Sequence, residues 1–245
     1  PTQAAGLTQL SIPGTHFPCP NTRARVDCIM VETRLMFTLT AVILAQSAVV
    51  HADVIELSSS RDGTLYQDSD GLAANGSGSA FFAGRTQSAS NNLRRGLLYF
   101  DFSVIPAGST ITGVSLRLTN SAANIGPYGV ALHRALESWG EGSSNAGGGG
   151  GNGTTPATGD ATWIHRSYPG TLWSTPGGVF DPNSSVSTVV AGPGVYHWSG
   201  PGLVADVQMF LDNPGSNLGW VLLGDEVFVQ SAKRFGTREA QDPSE

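Results

Sequence analysis

Cysteine, lysine and charge are all scarce in this sequence. Cys19 and Cys28 are the two cysteines, Lys233 is the single lysine, and charged residues make up 13% of 245. Thirteen Lys+Arg against 19 Asp+Glu leave a net charge of −6, and no cationic block occurs. Binding a phosphate backbone needs clustered cations, so nucleic acid is excluded as a partner. G-x-S-x-G, H-E-x-x-H and P-loop patterns are absent, as is a G-x-G-x-x-G following a strand. Those absences remove the standard serine-hydrolase, zincin and nucleotide-binding classes. Nothing points to a nucleotide, flavin or haem cofactor.

The N-terminal part carries a leader pattern. Arg34 precedes the apolar run of residues 37–50, which ends Val50-His51-Ala52. A basic residue, an apolar stretch of about fifteen residues and small side chains at −3 and −1 define a secretory signal peptide. A membrane anchor is the rival reading, but the run is short for a span and contains Gln46 and Ser47, which favours the leader. The chain accordingly divides into a non-structural upstream segment (1–29), a signal peptide (30–52) and one domain (53–245). Both cysteines precede residue 53. The exported chain then has no disulfide, no thiolate nucleophile and no zinc–thiolate site.

What is abundant is turn chemistry, with 32 Gly and 14 Pro. Short apolar or alternating segments at 53–57, 64–66, 80–84, 94–102, 112–118, 130–136, 161–165, 194–198, 219–223, 226–229 and 233–235 read as strands. In 112–118, Val114, Leu116 and Leu118 share one face and Ser115 and Arg117 the other. Residues 202–211 are the one helical signal, with Val204, Val207, Phe210 and Leu211 at helical spacing and Asp206 off that face. The five glycines at 147–151 read as a flexible loop inside the domain. About ten short strands and one short helix imply an all-β, jelly-roll-like two-sheet β-sandwich.

Residues 94–118, RRGLLYFDFSVIPAGSTITGVSLRL, resemble the signature of DNRLRE-domain proteins. ESWGE (137–141), DATW (160–163), VADVQ (204–208) with GWVLL (219–223), and RFGTRE (234–239) are similar to that family's later segments, in the same order. The resemblance implies a secreted bacterial jelly roll related to family-96 carbohydrate-binding modules and to disaggregatase-related domains. It also implies a P-x-L-x-V closing strand after the RFGTRE segment, which residues 240–245 do not contain.

Three functions follow as expectations. The first is an extracellular carbohydrate-binding or matrix domain for an acidic or cell-surface polysaccharide. Rings stack on sugar faces and forked polar groups take hydroxyls. The candidate rings are Tyr128, Trp139, Trp163, Tyr168, Trp173, Tyr196 and Trp198, with Trp173 the best exposed platform because its surroundings are loop-like. The candidate anchors for acidic sugars are Arg85, Arg95, Arg117, Arg134 and Lys233, with Arg117 and Arg134 on neighbouring strands of one face. The second is a polysaccharide lyase or glycoside hydrolase. Tyr99, His133 and Arg95 or Arg134 would serve a lyase, and Glu137, Glu141 and Asp160 a glycosidase. The third is a structural exoprotein without ligand. A Ca²⁺ site is drawn from Asp62, Asp68 and Asp70, or from Glu141 and Asp160 flanking the glycine run. His133, His165 and His197 form a possible transition-metal set if they converge. After leader removal no stable membrane insertion is expected, and the oligomeric state is open.

One measurement checks the leader. Intact-mass analysis of the exported protein is expected to place its N-terminus at Asp53.

Overall fold

A computed structural model describes residues 26–32, 52–122 and 126–240. The strands are β1 (Val26–Glu32), β2 (Ala52–Leu57), β3 (Arg61–Tyr66), β4 (Ala80–Arg85), β5 (Leu93–Tyr99), β6 (Thr110–Asn120) and β7 (Tyr128–Arg134). They continue with β8 (His165–Ser167), β9 (Thr171–Leu172), β10 (Val186–Val190), β11 (Gly194–Ser199), β12 (Trp220–Leu223) and β13 (Lys233–Gly236). The helix α1 spans Pro201–Asp212. Among the described residues no helix is long and apolar enough to cross a membrane.

The strands form an all-β, jelly-roll-like sandwich. In the first sheet β11 pairs one edge of β6, while β13 and β1 pair the other, with β2 beyond β1. The second runs β10–β7–β12–β5–β3. β4 joins the two, pairing β13 along its length and β5 through Gly84 and Arg85. Every named pairing is antiparallel.

Alternation decides the interior. Val114, Leu116 and Leu118 of β6 all point into the core between the sheets, as do Val130 and Leu132 of β7. Trp198, Phe235, Phe81 and Trp220 meet them there, and α1 closes one end with Leu203, Val207, Phe210 and Leu211. The helical span agrees with its apolar spacing to within one residue at each end. Asp206 departs from its expected polar face. It is buried and accepts hydrogen bonds from the Trp220 indole N–H (2.9 Å) and pairs with Arg134 (3.4 Å), tying α1 to β12 and β7.

Several expected boundaries change. Residues 61–63, between the expected strands 53–57 and 64–66, supply the start of β3. Residues 186–190 form a strand that their mixed composition did not suggest. Residues 226–229 are not a strand: Asp225 Oδ1 accepts the N–H groups of Val227 and Phe228 (2.8 Å each), a side-chain-capped turn that competes with extension. Arg117 and Arg134 do not share a face, because β6 and β7 lie in opposite sheets, as jelly-roll connections require. β1 crosses the expected boundary at residue 29. Residues 26–29 of the supposedly non-structural segment are therefore part of a paired strand, and the rest of the expected leader before Ala52, apart from residues 30–32, lies outside the described residues.

Trp198 has no exposed surface, stacks edge-on to Phe235 and donates to the Val130 carbonyl at 2.7 Å. Trp198→Ala is expected to lower stability by about 3–5 kcal/mol, measured by urea unfolding.

Candidate functional site

The second sheet presents apolar side chains on its outer face too: Leu65, Leu97 and Val221 are fully buried there. They are covered by an excursion of residues 135–181 between β7 and β10. Its neck is closed by Leu136 N–H to Val179 O (2.8 Å) and Asp181 N–H to Arg134 O (2.9 Å). Trp139, Trp163 and Trp173 line its underside as a second core. The Trp139 and Trp173 indoles donate to the carbonyls of Leu218 (3.0 Å) and Thr162 (2.9 Å). Trp173 is thus 4% exposed, not a surface platform. Its local sequence is loop-like, but the loop folds back on an apolar sheet.

Asp160 fixes the base of the glycine-rich loop. It is fully buried, and its two carboxylate oxygens accept the N–H groups of Ser144 (3.3 Å) and Ala157 (2.5 Å). The loop itself folds as two successive turns, Gly150 N–H to Gly147 O and Gly153 N–H to Gly150 O. Gly148 and Gly150 take φ of 50° and 71°, the left-handed region that glycine enters freely. Three side chains then hold it: Tyr66 Oη donates to Gly150 O (2.6 Å), Arg94 Nε to Gly151 O (3.1 Å) and Arg234 Nε to Gly149 O (3.4 Å). The expected flexible loop is a braced wall. Burial pushes the Tyr66 hydroxyl up to about 12, so it remains a donor throughout the neutral range.

Between this wall and residues 75–80 lies a pocket of about 390 Å³. Asn75, Ser77, Ser79, Asn145 and Glu239 line it together with Gly147, Gly148, Gly149 and Gly150. The lining is therefore amides, hydroxyls, peptide groups and one carboxylate. Asn75 holds the two sides in register, accepting from Ala146 N–H (2.8 Å) and donating to Ala80 O (3.0 Å).

Behind the pocket three carboxylates surround one guanidinium. Glu141 takes both Arg238 NH groups and accepts the Asp62 N–H at 2.8 Å. Arg238 also reaches Glu239 Oε1 (2.8 Å) and Asp62 Oδ2 (3.9 Å). Among the described residues Asp62 Oδ1 and Glu239 Oε2 are buried and have no hydrogen-bond partner. Burial, then the charge of Glu239, pushes the Asp62 carboxyl up to about 7. Burial likewise raises Glu239, against the pull of Arg238. The hydrogen bonds that Arg238 donates to Glu141 hold its guanidinium above its ordinary value.

The other sequence candidates are dispersed. Arg95 pairs with Glu226 (2.7 Å) and stacks on Trp163; Arg134 pairs with Asp181 (2.5 Å). Arg117 is buried, and Lys233 is fully buried, giving its ammonium protons to Gly126 O (2.9 Å) and Ala191 O (2.8 Å). Arg85 donates to Val227 O. Tyr99 lies under Arg61 (4.1 Å), and the His133 Nδ1 is 2.8 Å from Asp181 O with its ring against Phe180. Tyr99, His133 and Glu141 therefore have separate partners and form no shared site. Glu137 binds Ser174 on the surface. Asp68 accepts from Asp70 N–H (3.1 Å) and Leu72 N–H (2.9 Å) in an exposed loop, away from the partners of Glu141 and Asp160. His165 is 3.0 Å from Thr162 Oγ1, and His197 pairs in register with Arg117. Among the described residues no three His, Cys, Asp or Glu side chains could hold a metal ion.

The sequence signals missed Asn75, Asn145, Arg238 and Glu239. Asn75-Gly and Asn145 carry only a turn signature, and Arg238 meets Glu141 across 97 residues. With this geometry established, comparison adds no name: no protein-family model matches the chain, and no curated protein matches it. The fold and site define a jelly-roll-like β-sandwich with a braced polar pocket.

The raised Asp62 value has a sign. A folded carboxyl above its unfolded value of 3.8 binds its proton more tightly when folded, so its contribution is full below about pH 4 and is lost as pH rises through about 7. Wild-type stability is expected to fall across that window by roughly 2–4 kcal/mol more than that of Asp62→Asn, read from urea midpoints at each pH.

Proposed function

We propose that this protein is an extracellular glycan-binding domain and that its ligand enters the pocket beneath the glycine-rich loop. The carrying observation is the lining. A cavity of about 390 Å³ is walled by Asn, Ser and peptide groups, and Glu239 is its one charged lining residue. Such a surface suits a hydroxyl-rich ligand, whose many donors and acceptors need polar partners when water is displaced. Bracing by Tyr66, Arg94 and Arg234 keeps the wall formed before binding, which reduces the entropy lost on association. The secretory leader pattern and the resemblance to DNRLRE domains support the same reading.

The ligand class differs from the acidic polysaccharide first expected. Arg95, Arg134 and Lys233 are engaged inside the fold. The pocket offers a carboxylate instead, which favours a neutral, hydroxyl-rich glycan over a uronate.

Gly149 provides a direct test. A side chain built there meets nothing within 4 Å, and its backbone is outside the left-handed region. Gly149→Trp is therefore expected to fold normally, by thermal melt, and to fill the pocket mouth. Affinity-gel electrophoresis against neutral and acidic polysaccharides should show wild-type retardation on a neutral polymer, weakened about tenfold or more in Gly149→Trp and in Glu239→Ala. Equal retardation of wild type and both variants would place binding elsewhere.

A further inference from the structure

The segment that follows β13 is bonded both to one wall of the pocket and to the carboxylate cluster behind it. Thr237 donates its N–H to Ser79 O (3.2 Å) and its hydroxyl to Gly78 O (2.8 Å). Both acceptors belong to residues that line the pocket. The next residue, Arg238, donates its backbone N–H to Asp62 Oδ2 (3.2 Å), and Glu239 after it lines the pocket itself. Asp62 thus holds, through one peptide group, the stretch that supports the wall. Ser59 Oγ also donates to Asp62 Oδ2 (2.8 Å), so that oxygen takes both donors. The buried Oδ1 has no partner among the described groups. An oxygen without a donor is the one that carries the proton of a neutral carboxyl, and burial keeps this carboxyl neutral up to about pH 7.

The charged groups that face Asp62 are Glu141 from the excursion and Arg238 and Glu239 from the segment after β13. β5 sets Leu98 opposite it, and Arg61 beside it is turned to the Tyr99 and Trp139 rings. While Asp62 is neutral, two carboxylates share one guanidinium. Once it ionises three do, in surroundings where water screens them poorly. Exposure decides which one gives way. The Asp62 side chain is 1% exposed. That of Glu141 is 13% exposed, with both oxygens on Arg238 and one also on the Asp62 N–H. The Glu239 side chain is 26% exposed and meets Arg238 through one oxygen (2.8 Å). We propose that Asp62 is a pH-sensitive latch on the pocket: neutral, it holds residues 237–239 against the 78–80 wall; ionised, it drives the Glu239 carboxylate out of the cluster and into the pocket, which then no longer admits a neutral glycan. The ligand in this statement rests on the glycan reading above; the movement does not. The pocket is open in mildly acidic medium and closes as pH rises through about 7.

Two readouts on the full chain separate the movement from the ligand. The first is amide exchange followed by mass spectrometry, corrected for the intrinsic pH dependence of exchange. Protection of residues 78–80 and 237–240 is expected to fall about fivefold or more between about pH 6 and about pH 8 in wild type, and to stay level in Asp62→Asn. The second is retardation on the neutral polymer. It is expected to be about tenfold weaker at the higher pH in wild type, as the open fraction falls from roughly nine-tenths to one-tenth, and to be unchanged by pH in Asp62→Asn. Should Asp62→Asn fail to fold, Glu239→Gln removes the repelled charge and is expected to abolish the exchange change. Equal pH profiles of exchange in wild type and these variants overturn the latch. So does a fall in protection that leaves retardation the same at both pH values. Retardation without either pH dependence overturns the latch and leaves the glycan reading standing. The expected exchange change with no retardation on any polymer supports the latch movement and overturns the glycan reading alone.

Discussion

The constraint that organises this molecule is a sheet that is apolar on both faces. β5 and β12 alternate Leu98 and Leu222 toward the central core with Leu97 and Val221 away from it, and all four are buried. A sandwich covers one such face. The other must be covered by the chain itself, at roughly 25 cal/mol for each Å² of apolar surface removed from water. Residues 135–181 do this with three tryptophans, and the indole N–H groups of Trp139 and Trp173 find carbonyl partners as they enter. The pocket follows from that cover, because the glycine-rich loop is the rim of the same excursion.

The carboxylate cluster is the counterpart of this apolar cover. Asp62, Glu141 and Glu239 come from β3, from the excursion and from the segment after β13, and Arg238 joins them. Three acids about one base, largely out of water, are not a source of large net stability, since desolvation opposes the Coulomb gain. What they supply is specificity of assembly. Asp62 and Arg238 are 176 residues apart, and their meeting fixes the C-terminal segment against β3, while Glu141 ties it to the excursion. The unpaired oxygens of Asp62 and Glu239 mark where satisfaction by the described protein groups stops.

The legible part of the fold was the part governed by local alternation. β6 could be read because one of its faces is buried and the other is less so, and α1 because its apolar side chains recur on one stripe. The first half of β3 was hidden because Ser-Arg-Asp-Gly reads as a turn, although Asp62 is buried in the strand by partners distant in sequence. Trp173 was misplaced for the same reason, since only the tertiary return of the excursion covers it. Of the site, Glu141 and Asp160 were visible as acids flanking the glycine run. Their roles were not, because Asp160 serves backbone N–H groups and Glu141 serves an arginine far along the chain. The arginines seemed available as ligand anchors because a sequence does not display the ion pairs that occupy them.

The neck of the excursion has a consequence for how such a molecule can vary. Arg134 and Asp181 are bonded neighbours, and Ala135 bridges Phe180, so the chain leaves and re-enters the sandwich at one point. Everything between those residues is topologically a graft on a hairpin. Its length and rim can diverge without altering the order of strands beneath, provided its underside still presents large rings to Leu65, Leu97 and Val221. The rim and the underside of residues 135–181 therefore answer to separate physical constraints, and each can change while the other is kept.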